Sequence, residues 1–273
     1  MNFQRSSVAW RVSGLSIPVL ILLAVITSLR APAQEPDSAA VIRAVDAAVT
    51  SRSENVLGFT DIEHFAVYRG SDETHPAAEM TVLDTYKRGV GKEFTVISQS
   101  GSAILLHFGL KPLLDSDHTI NQPGNVESSW FNSANYVMTL KAGGVQKLDG
   151  RDCFLLDIKP KGEAPNLIIG TIWVDAHDGT LIKVDGVASK NPSALSGITH
   201  MMRQYANIEG YSMARHARAE SDSAFFGRTV VTIDYSDYKL EVKNGKQSAG
   251  PISPRTKSSR TQDQRSPVPC RTS

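Results

Sequence analysis

Residues 150–187 read GRDCFLLDIKPKGEAPNLIIGTIWVDAHDGTLIKVDGV, and the alternation inside this stretch decides the fold class. Three runs, Arg151 to Lys159, Asn166 to Ala176 and Thr180 to Val187, alternate apolar with polar residues, with Trp173 in the middle run. A period of two gives one face to a core and the other to water, the signature of a half-buried strand. The runs are separated by Pro160-Lys161-Gly162-Glu163-Ala164-Pro165 and by His177-Asp178-Gly179. Asp-Gly between alternating runs is a strong hairpin signal, because glycine accepts the positive φ of tight hairpin turns. The stretch predicts a meandering antiparallel sheet.

Outward from it the same pattern continues on both sides. Upstream, Leu57 to Arg69 reads as a strand with a parity break near Glu63-His64, followed by Glu79 to Arg88, a Gly89-Val90-Gly91-Lys92 turn and a short strand Glu93 to Gln99. Tyr136 to Lys141 and Val145 to Leu148 precede the central meander. Thr199 to Tyr205 with Ile208, Ser212 to Asp222 and Arg228 to Leu240 follow it, for about eleven strands in all.

Helices interrupt the meander twice. Asp37 is placed to cap a helix through Arg52, with Ala40, Val41, Val45, Ala48 and Val49 at helical spacing. Ser102 to Leu114 is apolar nearly all round, so a helix there must be buried or face something apolar, and Pro112 should break or kink it. A polar loop from Asp115 to Asn125 and a short helix from Val126 to Asn132, carrying Trp130 and Phe131, complete the insertion. Helices inserted into an antiparallel meander cover one face of it, which predicts a curved sheet or partly open barrel enclosing an apolar cavity.

The chain divides into three parts. Residues 1–33 read as a cleaved signal peptide, with Arg5 and Arg11 in the n-region, an apolar stretch from Leu15 to Leu29 and an Ala31-Pro32-Ala33 cleavage site. This segment is shorter than the roughly 20 apolar residues of a spanning helix. Export, with the periplasm as the compartment, is the expectation. Residues 34–243 form one β-rich domain, and residues 244–273 a basic tail. The tail has few large apolar residues and should be disordered. A solvated tail is favoured, with peripheral contact to anionic lipid or peptidoglycan as its alternative. The formal charge of +1 divides into about +5 on the tail, about −7 on the domain and the remainder on the signal segment. An acidic domain excludes nucleic acid as a partner. Of the two cysteines, Cys153 sits on an apolar strand parity and reads as a buried structural thiol, while Cys270 lies in the tail.

No constellation for catalysis stands out. There is no G-x-S-x-G elbow, and Ser193 to Gly197 reads as a loop. Asp175, His177 and Asp178 occupy a turn that Asp-Gly already explains, and His200 and His216 lie on adjacent strands where they could meet. Asp61 with Glu63, and Asp234 with Asp237, are carboxylate pairs on strands that read as the wet outer face of a sheet. No enzyme activity, metal or cofactor is expected. The positive signal is a surplus of large apolar residues outside the alternating runs. Leu105, Phe108, Leu113, Trp130 and Phe131 are the candidates to line or lid a lipid cavity, with Trp173 as a further candidate on the sheet. Core filling competes with that reading.

Several of these stretches resemble the outer-membrane lipoprotein-sorting (LolA-like) superfamily. They are Gly150 to Lys161, Ile172-Trp173-Val174-Asp175, Asp178 to Lys183, Arg203-Gln204-Tyr205, Ile208-Glu209-Gly210-Tyr211 and Phe226-Gly227. The resemblance implies an α+β, mainly antiparallel fold. It is an unclosed half-barrel of about eleven strands whose helices cover the concave face over an apolar cavity. It also implies a periplasmic protein that holds the acyl chain of a lipid or lipoprotein. The alternative is an envelope regulatory or scaffolding module that binds a protein partner through its sheet edge or basic tail.

Overall fold

The computed structural model describes residues 37–191, 197–223 and 227–243. The expected signal peptide, the basic tail with Cys270, Ser193 to Ser196 and Phe226 lie outside them. Helix α1 (Ser38–Asn55) starts where expected: Asp37 caps it, its carboxylate accepting the Ala39 N–H at 3.0 Å. Satisfying a first-turn N–H this way is what makes aspartate a good N-cap. Val41 and Val45 bury the helix on the sheet.

Among the described residues, eleven strands form one sheet in which every pairing is antiparallel. They are β1 (Val56–Arg69), β2 (Ala78–Lys87), β3 (Gly91–Gly101), β4 (Tyr136–Leu140), β5 (Gln146–Leu148), β6 (Arg151–Pro160), β7 (Ile168–Asp175), β8 (Leu181–Ala188), β9 (Thr199–Ile208), β10 (Tyr211–Ser223) and β11 (Gly227–Val242). The order across the sheet is β3-β2-β1-β11-β10-β9-β8-β7-β6-β4, with β5 also paired to β6. The first and last strands are therefore neighbours in the middle, and the sheet stays open between β3 at one edge and β4 and β5 at the other.

The connection between those edges is helical. It runs through α2 (Ala103–Leu105), a π-turn (Leu106–Leu110), α3 (Lys111–Ile120) and a 3-10 turn (Val126–Ser129). Two sequence expectations change here. Pro112 sits in the first turn of α3, where its missing N–H is tolerated. The disturbance falls one turn earlier, where the Lys111 N–H reaches back five residues to the Leu106 carbonyl. The expected loop from Asp115 is helical through Ile120, because Asp117 is held to the sheet from inside the helix.

Among the described residues, two apolar clusters form the core. Val41 and Val45 pack with Tyr136, Leu156, Ile158, Ile172, Val174 and Val184 under α1. Leu110 and Leu114 pack with Phe65, Val67, Met80 and Val82 under α3. The β7–β8 hairpin turn is seated against α1. Gly179 has φ 74°, and a Cβ there would lie 2.5 Å from the Ala44 carbonyl carbon. Gly179→Ala is expected to lose about 2–3 kcal/mol, the left-handed backbone penalty plus overpacking. Urea unfolding measures it, and a loss under about 1 kcal/mol would show that the turn is not held against the helix.

Candidate functional site

Between the sheet, α1 and the end of the helical connection lies a cavity of about 350 Å³. Its apolar wall is Val45, Ala48 and Val49 from α1, Trp130 and Phe131 after the 3-10 turn, and Leu181 and Met213 from β8 and β10. Trp130 and Phe131 are fixed from several sides. The Ser133 N–H and hydroxyl donate to the Asp46 carboxylate of α1 at 2.7 and 2.6 Å. The Asn135 amide donates to the Trp130 carbonyl at 3.0 Å, and the Phe131 ring stacks on Tyr136 at 5.2 Å.

The opposite wall is charged. Asp61 and Glu63 on β1 share their face with Phe59 and Phe65, since alternate residues of a strand point the same way. Asp84 on β2 is directly across from Asp61. All three carboxylates are buried, as is Lys92 at the start of β3. The Lys92 ammonium is shared among three acids. It lies 2.8 Å from Glu63 and 2.6 Å from Asp117 of α3, and it is also in contact with Asp84. The His118 ring donates to the Lys92 carbonyl at 2.6 Å, so α3 is tied to the sheet at this point.

The electrostatics follow from burial. Desolvation opposes the Lys92 charge, but Asp117 and Glu63 outweigh it and hold the ammonium above the ordinary lysine range. Burial pushes Glu63 upward, with Lys92 pulling the other way. Asp61 is the member left out. Burial, reinforced by Glu63, raises it to about 7 against the partial relief of Lys92 and Tyr238. The Tyr238 hydroxyl is near enough to favour the charge, yet neither Asp61 oxygen has a hydrogen-bond partner. A bulge brings Tyr238 to this spot. Between the Thr60↔Lys239 and Ile62↔Ser236 pairs, β11 has two residues opposite Asp61. Asp237 takes φ 56° there, which turns it outward and its neighbour Tyr238 inward.

The wet outer face expected for Asp61 and Glu63 is thus corrected: both are buried against the cavity. The irregularity expected at Glu63-His64 lies instead opposite Asp61, as the bulge on β11, and β1 keeps its parity from Phe59 to Val67. Asp234 and Asp237 are exposed. His200 and His216 do not meet, since β9–β10 pairing places His200 across from Glu220 and His216 across from Gln204. They pair instead with Asp185 and Asp234. Cys153 is a buried free thiol.

Of the residues expected to line a lipid cavity, Trp130 and Phe131 are on the wall of the cavity described above. Leu105 packs against the cluster under α3. Phe108 is 73% exposed and Leu113 36% exposed, on the side of the helix away from Leu110 and Leu114. Trp173 lies on the sheet face opposite Ile172 and Val174, with the Lys183 ammonium 4.8 Å from its ring centre. Asp61, Glu63 and Asp84 offer carboxylate oxygens within 4.8 Å of one another. The Lys92 ammonium already contacts Glu63 and Asp84, so a second cation among the three would meet its positive charge at close range. No helix among the described residues is long and apolar enough to cross a membrane.

No family model and no curated protein matches this sequence. Among solved structures, the chain is similar to a LolA superfamily protein from Nitrosomonas europaea, with 12% identity, coverage of 76% of this chain and 94% of that chain, and a TM-score of 0.39. It is also similar to a domain from Vibrio parahaemolyticus named for outer membrane lipoprotein sorting, with 14% identity, coverage of 74% and 92%, and a TM-score of 0.42. A DUF1329 family protein from Desulfovibrio piger gives 16% identity, coverage of 74% and 93%, and a TM-score of 0.38.

Proposed function

We propose that this chain is an exported, non-enzymatic lipid- or lipoprotein-binding protein that holds an acyl chain between the sheet and its helices. The observation that supports it is the cavity itself, with one wall of Val45, Ala48, Val49, Trp130, Phe131, Leu181 and Met213. Its volume falls in the range of roughly 300–1,000 Å³ usual for small-molecule sites. Each methylene buried there is worth about 0.8 kcal/mol, so a chain of modest length is held without any charged contact. Transport of a lipoprotein between membranes is the finer form of this reading.

Native mass spectrometry of the protein purified after export tests it. Lipid adducts are expected on the wild type. They should be lost on Phe131→Glu and on the cavity-filling Ala48→Trp, and retained on Phe108→Glu, whose side chain is in solvent. A wild type free of adducts that also binds no lipophilic dye overturns the reading, and leaves the interaction module as its replacement.

A further inference from the structure

Two groups of opposite charge line the cavity with buried polar atoms that have no hydrogen-bond partner. Asp61 is 1% exposed, it lines the cavity, and both of its oxygens are without a hydrogen-bond partner. Arg52, in the last turn of α1, lines the same cavity with its Nε buried and unpartnered. Its charge neighbours are phenols, those of Tyr205, Tyr238 and Tyr86, rather than a carboxylate. Tyr238 stands near both, since its own ionisation is opposed by Asp61 and eased by Arg52. Buried polar atoms are nearly always paired in folded proteins, so two unpaired ones facing a common space mark the outline of something that pairs them.

We propose that the cavity selects a zwitterionic head group, one that carries a primary ammonium and an anion together. The ammonium donates to Asp61 and the anion accepts from Arg52, on either side of Tyr238. This deepens the acyl-binding reading, on which it rests for the apolar part of the ligand. A metal ion suits the position less well, because the Lys92 ammonium already sits against Glu63 and Asp84 beside Asp61 and would repel it. A plain fatty acid satisfies Arg52 and leaves Asp61 as it is. An amine without an anion does the reverse. Phosphoethanolamine is the simplest group that satisfies both, either as a lipid head or as the free solute.

The test is titration calorimetry with dihexanoyl phosphatidylethanolamine, phosphatidylglycerol and phosphatidylcholine below their micellar concentrations, and with free O-phosphoethanolamine. The ethanolamine lipid is expected to bind at least tenfold more tightly than the glycerol lipid, which has no ammonium, and than the choline lipid, whose quaternary nitrogen has no N–H. Asp61→Asn should erase that preference, and Arg52→Gln should weaken the ethanolamine and glycerol lipids alike. The wild-type comparison needs no variant to fold. Equal binding of the three lipids overturns this proposal and leaves the acyl reading standing, as does a preference that survives Asp61→Asn. Binding of O-phosphoethanolamine alone, with no lipid bound, supports the head-group chemistry and overturns the acyl reading. Absence of all binding overturns both.

Discussion

Lys92→Met is expected to lower the unfolding free energy by about 3–5 kcal/mol, because it leaves buried carboxylates without their counter-ion. Glu63 and Asp84 are almost fully enclosed, and Lys92 is the cation in contact with both. The third partner, Asp117, is 37% exposed, and water screens its share of the loss. Methionine matches the lysine stem in length, so packing alone should change little. The remaining acids can relieve their repulsion by taking up protons, and the deficit should therefore be larger at pH 8 than at pH 5. Denaturant unfolding at the two pH values measures both quantities. A loss under about 1 kcal/mol, equal at both, would show that the ammonium is not what holds this wall together. The same variant should loosen α3, which joins the sheet here through Asp117 and the His118 ring, and amide exchange along residues 111–120 would report it.

How much of this was legible in the sequence differs between sheet and site. The strands were legible because alternation survives wherever one face is buried, and Asp178-Gly179 marked a turn whose glycine also has to admit α1. The polar wall was present in the same pattern but runs against the usual reading of it. Phe59, Asp61, Glu63, Phe65 and Val67 share one parity on β1, and Asp84 shares that of Met80, Val82 and Tyr86 on β2. Taking the parity as unbroken places three acids on the apolar face, and a parity break near Glu63-His64 removes the conflict. The buried partner that makes the unbroken parity tolerable, Lys92, follows a turn and belongs to a strand two places away in the sheet. Only pairing in space brings them together.

The helical connection was opaque for a different reason. A segment apolar on all sides has no unique inner face in the sequence, so Phe108 and Leu113 looked as good as Leu110 and Leu114. The choice is made at the end of the helix. Leu110, Leu114 and Asp117 follow at spacings of four and three on one stripe, and Asp117 reaches Lys92. That stripe faces the sheet, and Phe108 is turned to solvent.

Asp61→Asn is expected to stabilise the protein at pH 8 by up to about 4 kcal/mol while removing the preference for an ammonium head group. The sign follows from proton binding. In the unfolded chain Asp61 ionises at its ordinary value of 3.8, and in the folded protein burial and Glu63 raise it to about 7. Between those values the folded state holds more protons than the unfolded one, so stability falls as pH rises through the window and levels off above 7. A shift of about three pKa units corresponds to roughly 4 kcal/mol. Asparagine has no proton to lose, and its unpartnered amide resembles the unpartnered protonated acid closely enough that the two differ little near pH 4. Urea unfolding of both proteins at pH 4.5, 6 and 8 should therefore show a gap that opens with pH. A gap of constant size would place the carboxylate in contact with solvent or with a partner. A substitution that strengthens the fold and abolishes selective binding separates function from architecture, because a residue kept only for packing would not be destabilising where it stands. Bound ammonium should narrow the same gap in the wild type, since a cation at Asp61 favours its charged form and restores stability that the protein alone has lost by about pH 7.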